Sequence, residues 1–259
     1  MITLTSDFGL KDPYVAEMKG VILTINPNAI LIDITHEVAQ FDVRAGAFML
    51  ASAAPYFPAG TVHLAVVDPG VGTQRRAIII QTKKSFFVGP DNGVLFLVAQ
   101  NQGIEHIYHL TNPKFMLSSV SRTFHGRDVF APAAAYLDRG VEPTEFGEEI
   151  SDPVSPQFAK VKRANGSLIG EVMHVDDFGN IITNINQTDI AQNQIKLVKV
   201  ELPSISLQLA FGETYAEAKA KEPIALIGSH GFFEIALNRG NAAEKFHVKA
   251  GDKIVFTVS

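Results

Sequence analysis

A carboxylate and two guanidinium groups crowd the stretch VHLAVVDPGVGTQRRAIII at residues 62–80, where Asp68 precedes Arg75 and Arg76 around a glycine-bearing turn. Two readings compete. The charges can be solvated on a surface loop, or VHLAVVD can be a buried strand that delivers Asp68 to the lip of a pocket. Other polar groups gather in the same way: Asp7 in SDFG, and His125, Arg127 and Asp128 in FHGRD. Each also has a purely structural reading. Asp7 suits a turn or cap, and Asp128 suits a helix N-terminus with His125 packed nearby. Further on, HVDDFGNIITN sets Asp176, Phe178 and Asn180 around one turn, and GSHGFFEIAL carries Ser229, His230 and Glu234. An aromatic face beside Asn and Asp suits a planar base or a polar ligand tail, although such a turn is also an ordinary hairpin connection.

Several chemistries are absent. The chain has no cysteine, which removes disulfides, thiol nucleophiles and thiolate metal sites. The i, i+3 spacing of His106 and His109 in HIYH puts the rings on opposite faces of a strand, so a metal is not expected there or at His36-Glu37. The chain contains no G-x-S-x-G elbow. The GxG of DPGVG is too short to claim a dinucleotide site.

The elements that must position these groups follow from periodicity. Residues 2–5, AILIDIT and VHLAVVD read as strands, and residues 12–25 and 42–57 as helices between them. AIIIQT and SFFVGPDNG read as a strand pair, followed by a short helix over 93–100, the strand IEHIYHL and a helix over 128–138. This alternation predicts an α/β domain over 1–147 with a largely parallel sheet. In such a sheet, ligands bind beyond the carboxyl ends of the strands, where Asp7, Asp68 and the FHGRD segment fall. Residues 148–166 are polar, hold two prolines and read as a linker. Residues 167–259 contain short strand-like runs with a single helical candidate, TYAEAKAK, and predict a smaller all-β domain.

Composition narrows the partners. With 259 residues, 46% hydrophobic, 19% charged and a net charge of −5, the chain reads as a globular protein without the basic face a nucleic-acid binder needs. No apolar run is long enough to span a bilayer, and MITLTSDFGL lacks the pattern of a signal peptide, so the expected location is cytoplasmic.

Seven motifs occur in order between residues 5 and 243: SDFG, DITHEV, VDPGVGTQRR, VGPDNG, FHGRDVFAPAAA, VDDFGNIITNI and GSHGFFEIALNRGNAA. Together they resemble the S-adenosyl-L-methionine (SAM) hydroxide adenosyltransferases, relatives of the enzymes that make halogenated deoxyadenosines from SAM. The resemblance implies an α/β domain, a C-terminal β domain and a homotrimer with sites shared between neighbouring subunits. SAM is then the substrate and no cofactor is involved. The family's catalytic Asp, Arg and His fall on Asp68, Arg75 and His125, and its ribose-binding carboxylate on Asp7. Its C-domain ligands fall on Asp176, Phe178, Asn180, Ser229 and Glu234, with Asp68 also contacting substrate. Beside Ser229 the halogenating relatives carry Arg where this chain has His230, and they carry an insertion in the first domain. Both departures favour hydrolysis. Under that implication Arg75 and His125 attend the attacking oxygen, either Asp68 or His125 holds its proton, and Arg76 pairs structurally.

Overall fold

The computed structural model describes residues 1–190 and 195–258. Ser259, the end of the expected β domain, lies outside them. The chain divides into two compact units, Met1–Pro156 and Gln157–Ser259.

The first unit comprises β1 (Ile2–Ser6), α1 (Tyr14–Ile25), β2 (Leu31–Thr35), α2 (Val43–Ala53), β3 (Val62–Val66), β4 (Ala77–Thr82), β5 (Phe86–Pro90), α3 (Phe96–Gln102), β6 (Ile104–His109) and α4 (Ala131–Asp138). Its six strands lie in the order β2-β1-β3-β5-β4-β6. β1 pairs in parallel with β2 and β3, and β3 with β5. The sheet is largely parallel, as expected, and mixed at one side, where β4 runs antiparallel to both β5 and β6. The connection from Thr82 to Phe86 is far too short for a crossover, so AIIIQT and FFVGP form a hairpin. The unit is therefore a mixed sheet whose parallel half carries β1 and β3.

β1 and β3 are buried along their whole lengths, as central strands of a two-sided sheet must be. Ile2, Leu4, Val62, Leu64 and Val66 pack with Met18 and Ile22 of α1 and with the alanine run of α4. Those small side chains let α4 lie close to the sheet. Asp42 caps α2 by accepting from the Ala45 N–H at 2.9 Å. The helix expected over 128–138 starts differently: Gly126–Phe130 form a π-type turn, and α4 begins at Ala131. Pro132 has no N–H to donate to the Asp128 carbonyl, which instead accepts from Leu117 N at 2.9 Å.

The stretch expected as a linker is divided between the units. Glu148 O accepts from His109 N, and Ile150 N donates to Ile107 O, which attaches that part to β6. Residues Lys162–Ala164 are β7, paired with β8 (Ser167–Val175). The second unit continues with β9 (Ile181–Asn186), β10 (Leu197–Leu202), β11 (Ile205–Ala210), β12 (Pro223–Ile227), β13 (Phe232–Leu237), a short helix α5 (Ala242–Phe246) and β14 (Lys253–Val258). Neighbouring strands pair antiparallel in the order β11-β10-β14-β8-β9-β13-β12. A bridge from Phe211 to Ala225 brings the two ends together, so the sheet nearly closes into a barrel around Val172, Ile181, Val200, Phe233 and Phe256. TYAEAKAK does not form the expected helix. Only Tyr215–Glu217 make a single 3-10 turn, because Glu217 turns back onto the N–H groups of Glu213 and Thr214 and Ala218 is extended.

One core histidine makes the first unit sensitive to acid. His63 of β3 is fully buried, hydrogen-bonds Thr3 Oγ1 through Nδ1 at 2.7 Å and stacks on Phe87 at 5.0 Å. Its Nε2 has no partner. Burial, with a smaller contribution from the Lys84 charge, pushes its pKa from 6.5 down to about 4. The unfolded chain thus binds this proton at higher pH than the folded one does. Stability is fully present above pH 6.5 and falls as the pH drops toward about 4, by about 3 kcal/mol at 1.36 per unit. Denaturant midpoints measured between pH 7 and 4.5 should fall more steeply for the native chain than for His63→Phe. Parallel profiles would place the acid sensitivity elsewhere.

Candidate functional site

The first unit gathers its polar groups at the carboxyl ends of β1 and β3. These strands are parallel neighbours in register, Ser6 opposite Val66, so Asp7 and Asp68 emerge at the same end. Asp7, Phe8, Tyr14, Asp68, Phe124 and His125 are among the residues lining a cavity of about 350 Å³ there. The turn that returns the chain from Asp68 to β4 needs Gly72 at φ +78°, where a Cβ would lie 2.4 Å from the Arg122 carbonyl oxygen.

That turn brings Arg75 back onto Asp68. Arg75 Nε donates to Asp68 Oδ1 at 2.9 Å, and Nη2 donates to Oδ2. The same Nη2 donates to His125 Nδ1 at 2.8 Å. The guanidinium also lies over the Phe130 ring, 5.2 Å from its centroid. Asp68, Arg75 and His125 are therefore one hydrogen-bonded group. A guanidinium only donates, so Nδ1 of His125 must accept, and the neutral ring carries its proton on Nε2. Burial and then the Arg75 charge hold the His125 pKa below its usual value, against weaker opposing pulls from Asp68 and Asp128. The ring is neutral at neutral pH, with an N–H to offer.

The neighbouring charges are used differently. Arg76 turns away and donates to Asp91 at 2.8 Å and to Asp152 at 2.7 Å. Asp128 is fully buried and accepts from Arg127 Nε at 2.7 Å and Ser121 N at 2.8 Å, so it anchors the 117–121 segment. Arg127 also pairs with Glu17. Of the FHGRD polar residues, only His125 lines the cavity. Sequence reasoning missed the aromatic wall. Phe124 packs edge to face against both Phe8 and Tyr14, which are tilted against each other, with centroids 5.2–5.8 Å apart. Phe8 and Phe124 sit inside the quoted motifs, so the signal was present.

The second unit holds a cavity of about 580 Å³ lined by Asp176, Phe178, Asn180, Tyr215, Leu237, Asn238, Arg239 and Gly240. The Asp176 carboxylate builds the turn. It accepts from Phe178 N at 3.0 Å and Asn180 N at 2.8 Å, and its other oxygen accepts from the Asn180 side-chain amide at 2.8 Å. Gly179 has φ +81°, and a Cβ there would overlap Asn241, so the turn admits only glycine. This arrangement orients the amide of Asn180 and leaves Phe178 79% exposed. Glu234 is buried and does not line the cavity. It accepts from Tyr215 Oη at 2.7 Å, with its pKa raised by burial, and it reaches the cavity only through that tyrosine. Ser229 lies exposed in the turn between β12 and β13, outside the cavity lining. Among the described residues, no three His, Asp or Glu side chains gather as a metal site. No helix of the described residues is long and apolar enough to cross a membrane.

The comparisons agree with this architecture. The family model for the SAM hydroxide adenosyltransferase N-terminal domain matches residues 2–147, and that for the C-terminal domain matches 170–255. A protein of Methanocaldococcus jannaschii named (R)-S-adenosyl-L-methionine hydrolase is 38% identical, over 98% of this chain and 94% of its own. A protein of Actinoplanes named fluorinase is 28% identical over 99% of this chain and 97% of its own. The crystal structure of an uncharacterized conserved protein from Thermotoga maritima superimposes with a TM-score of 0.89 at 40% identity, covering 99% of this chain and all of that one. Both units are matched, and this chain belongs to the SAM hydroxide adenosyltransferase family.

Proposed function

We propose that this protein hydrolyses SAM at C5′, releasing adenosine and L-methionine. The observation that carries the reading is the Arg75 guanidinium shared between Asp68 and His125 beside the first unit's cavity. The name of the M. jannaschii relative points to the same substrate.

The chemistry puts the whole difficulty on the nucleophile. The C5′–S bond breaks to a neutral thioether, which needs no proton, while water forms the O–C5′ bond and loses one. Free hydroxide at pH 7 costs roughly 12 kcal/mol, from a water pKa of about 15.7 at 1.36 per unit. Donors held in place at the oxygen stabilise its developing charge. Arg75 is one such donor, and the Nε2–H of His125 is a second. Nδ1 of His125 has its single lone pair engaged by Arg75. The Asp68 carboxylate accepts from Arg75 and still keeps lone pairs, which favours Asp68 as the acceptor for the departing proton in this reading. Asp7 lines the same cavity, and its carboxylate suits the vicinal hydroxyls of a ribose. Asn180, Phe178 and Tyr215 of the second unit suit an adenine ring, while Asp176 and Glu234 hold that site's geometry. Ser229 remains a substrate-binding residue in this reading. The working form is a homotrimer in which the first unit of one subunit and the second unit of the next share a site. The reading assigns no metal or cofactor.

Chromatography of SAM incubated with the purified protein should show adenosine and methionine, unchanged by excess chelator or added halide. A halogenated deoxyadenosine, or loss of activity that one metal restores, would overturn it. Arg75→Lys keeps the charge but loses the planar fork, and turnover should drop about 10²–10³-fold. Arg76→Ala should change turnover little. The reverse pattern would assign the chemistry to the second arginine. Because the His125 pKa is depressed, the ring stays neutral below pH 6.5, and kcat/KM should hold its plateau there rather than fall at the ordinary histidine value. Finally, inactive Arg75→Ala and Asn180→Ala chains should regain activity when assembled together. Verified mixed oligomers without activity would rule out shared sites.

A further inference from the structure

DITHEV supplies no cavity-lining residue, yet it holds a relay that runs from the surface to a buried serine. His36 Nδ1 lies 2.7 Å from Ser6 Oγ, and both residues are buried. His36 Nε2 lies 3.0 Å from Asp33 Oδ1, and Asp33 Oδ2 accepts from Lys19 Nζ at 2.6 Å. An ionised carboxylate only accepts, so Nε2 carries the proton, and Nδ1 of the neutral ring accepts from the Ser6 hydroxyl. Ser6 Oγ also accepts from Phe8 N at 3.4 Å. Two backbone bonds complete the clasp, from Gly9 N to His36 O at 2.7 Å and from Val38 N to Ser6 O at 3.3 Å. Asp7 lies between the two ends of this clasp. Its Oδ2 accepts from Phe41 N at 2.9 Å, just past the DITHEV segment.

We infer that His36 is a positioning residue: the Ser6–His36–Asp33 relay fixes the Ser6–Gly9 turn so that the Asp7 carboxylate meets the substrate's ribose hydroxyls. Ser6 has no exposed surface, so the Ser-His-Asp order is not that of a nucleophile. Within the clasp, Asp7 and Phe8 line the cavity, and Ser6, Gly9, Asp33 and His36 do not. Its effect is therefore selective. Loosening it weakens the reading of the hydroxyls and leaves the donors at Arg75 and His125 in place. The inference rests on the hydrolase reading and on the part given there to Asp7.

The test compares kcat/KM for SAM with that for its 2′- and 3′-deoxyribosyl analogues, in the full-length protein corrected for active fraction. The native chain should prefer the ribosyl substrate by about 10- to 100-fold, the size of a hydrogen bond to a charged group. Asp7→Ala should erase that preference. His36→Leu should bring it within about threefold of the Asp7→Ala value, chiefly by raising KM for SAM. His36→Asn keeps an acceptor toward Ser6 and should restore most of it. If His36→Leu does not fold, Asp33→Ala, on the half-exposed end of the relay, should give a smaller loss in the same direction. A merely structural role would lower both substrates together and leave the ratio unchanged, which overturns the inference. An unchanged ratio in Asp7→Ala also overturns it, while the hydrolase reading would still stand on adenosine release.

Discussion

An arginine side chain that is 90% covered must find partners for its charge, and Arg75 finds them on two elements, the end of β3 and the π-type turn before α4. An ion withdrawn from water to this depth costs several kcal/mol unless its donors are satisfied. Both oxygens of Asp68, the Nδ1 of His125 and the face of Phe130 together meet that demand. The rest of the first unit follows from keeping the three in reach. β3 is buried along its length, so the position of Asp68 is fixed by the sheet. The turn at Gly72 brings the chain back within a few residues. Pro132 starts α4 late, which leaves the preceding π-type turn to present His125. The pairing in turn decides the tautomer of His125, and the tautomer decides which residue can offer a proton and which can receive one.

The second unit solves a different problem. Apart from the exposed Arg239, its cavity is bounded by groups that are neutral or already satisfied. Asp176 spends both oxygens on its own turn, and Glu234 is occupied by Tyr215. What faces the open volume is an exposed phenyl ring, an oriented amide and a phenol ring, a surface suited to a flat heteroaromatic ligand. The first unit concentrates charge at one point, and the second spreads weak, directional contacts over a wide face. Bond cleavage suits the former and recognition the latter.

The ends of β1 and β3 were legible because buried strands announce themselves as unbroken apolar runs, and Asp7 and Asp68 stand just past them. His125 was legible only as part of the polar segment before a helix. Arg75 and Arg76 differ by one position, and the alternation of side chains at the start of a strand separates them. Other features were hidden by short-range ambiguity. TYAEAKAK has helical composition, and only the capping by Glu217 shows that the chain turns after one 3-10 turn, which puts Tyr215 at a cavity wall. Glu234 reads as a polar residue in a strand, but nothing local tells that its carboxylate faces inward to a tyrosine. The direction of β4 depends on a hairpin between two apolar runs, which periodicity alone does not orient. DITHEV was visible as a motif, although the contact of His36 with Ser6 spans a parallel pair and has no sequence signature.

The arrangement around Arg76 has a consequence for how the chain avoids misfolding. A strand that is apolar on both faces has no alternation of its own to fix register, and a slip of one residue sends every side chain to the opposite face. At the entry to β4 such a slip would exchange the two arginines. Arg76 is clamped by Asp91 at the end of β5 and by Asp152, and Asp91 N donates to its carbonyl at 3.0 Å. Asp91 also accepts from Val154 N at 2.8 Å, so its own place is set independently. The second arginine thus works as a key that fits only one alignment of the hairpin. That alignment sets the first arginine beside its carboxylate, and in the folded chain the β4–β5 ladder holds it as well.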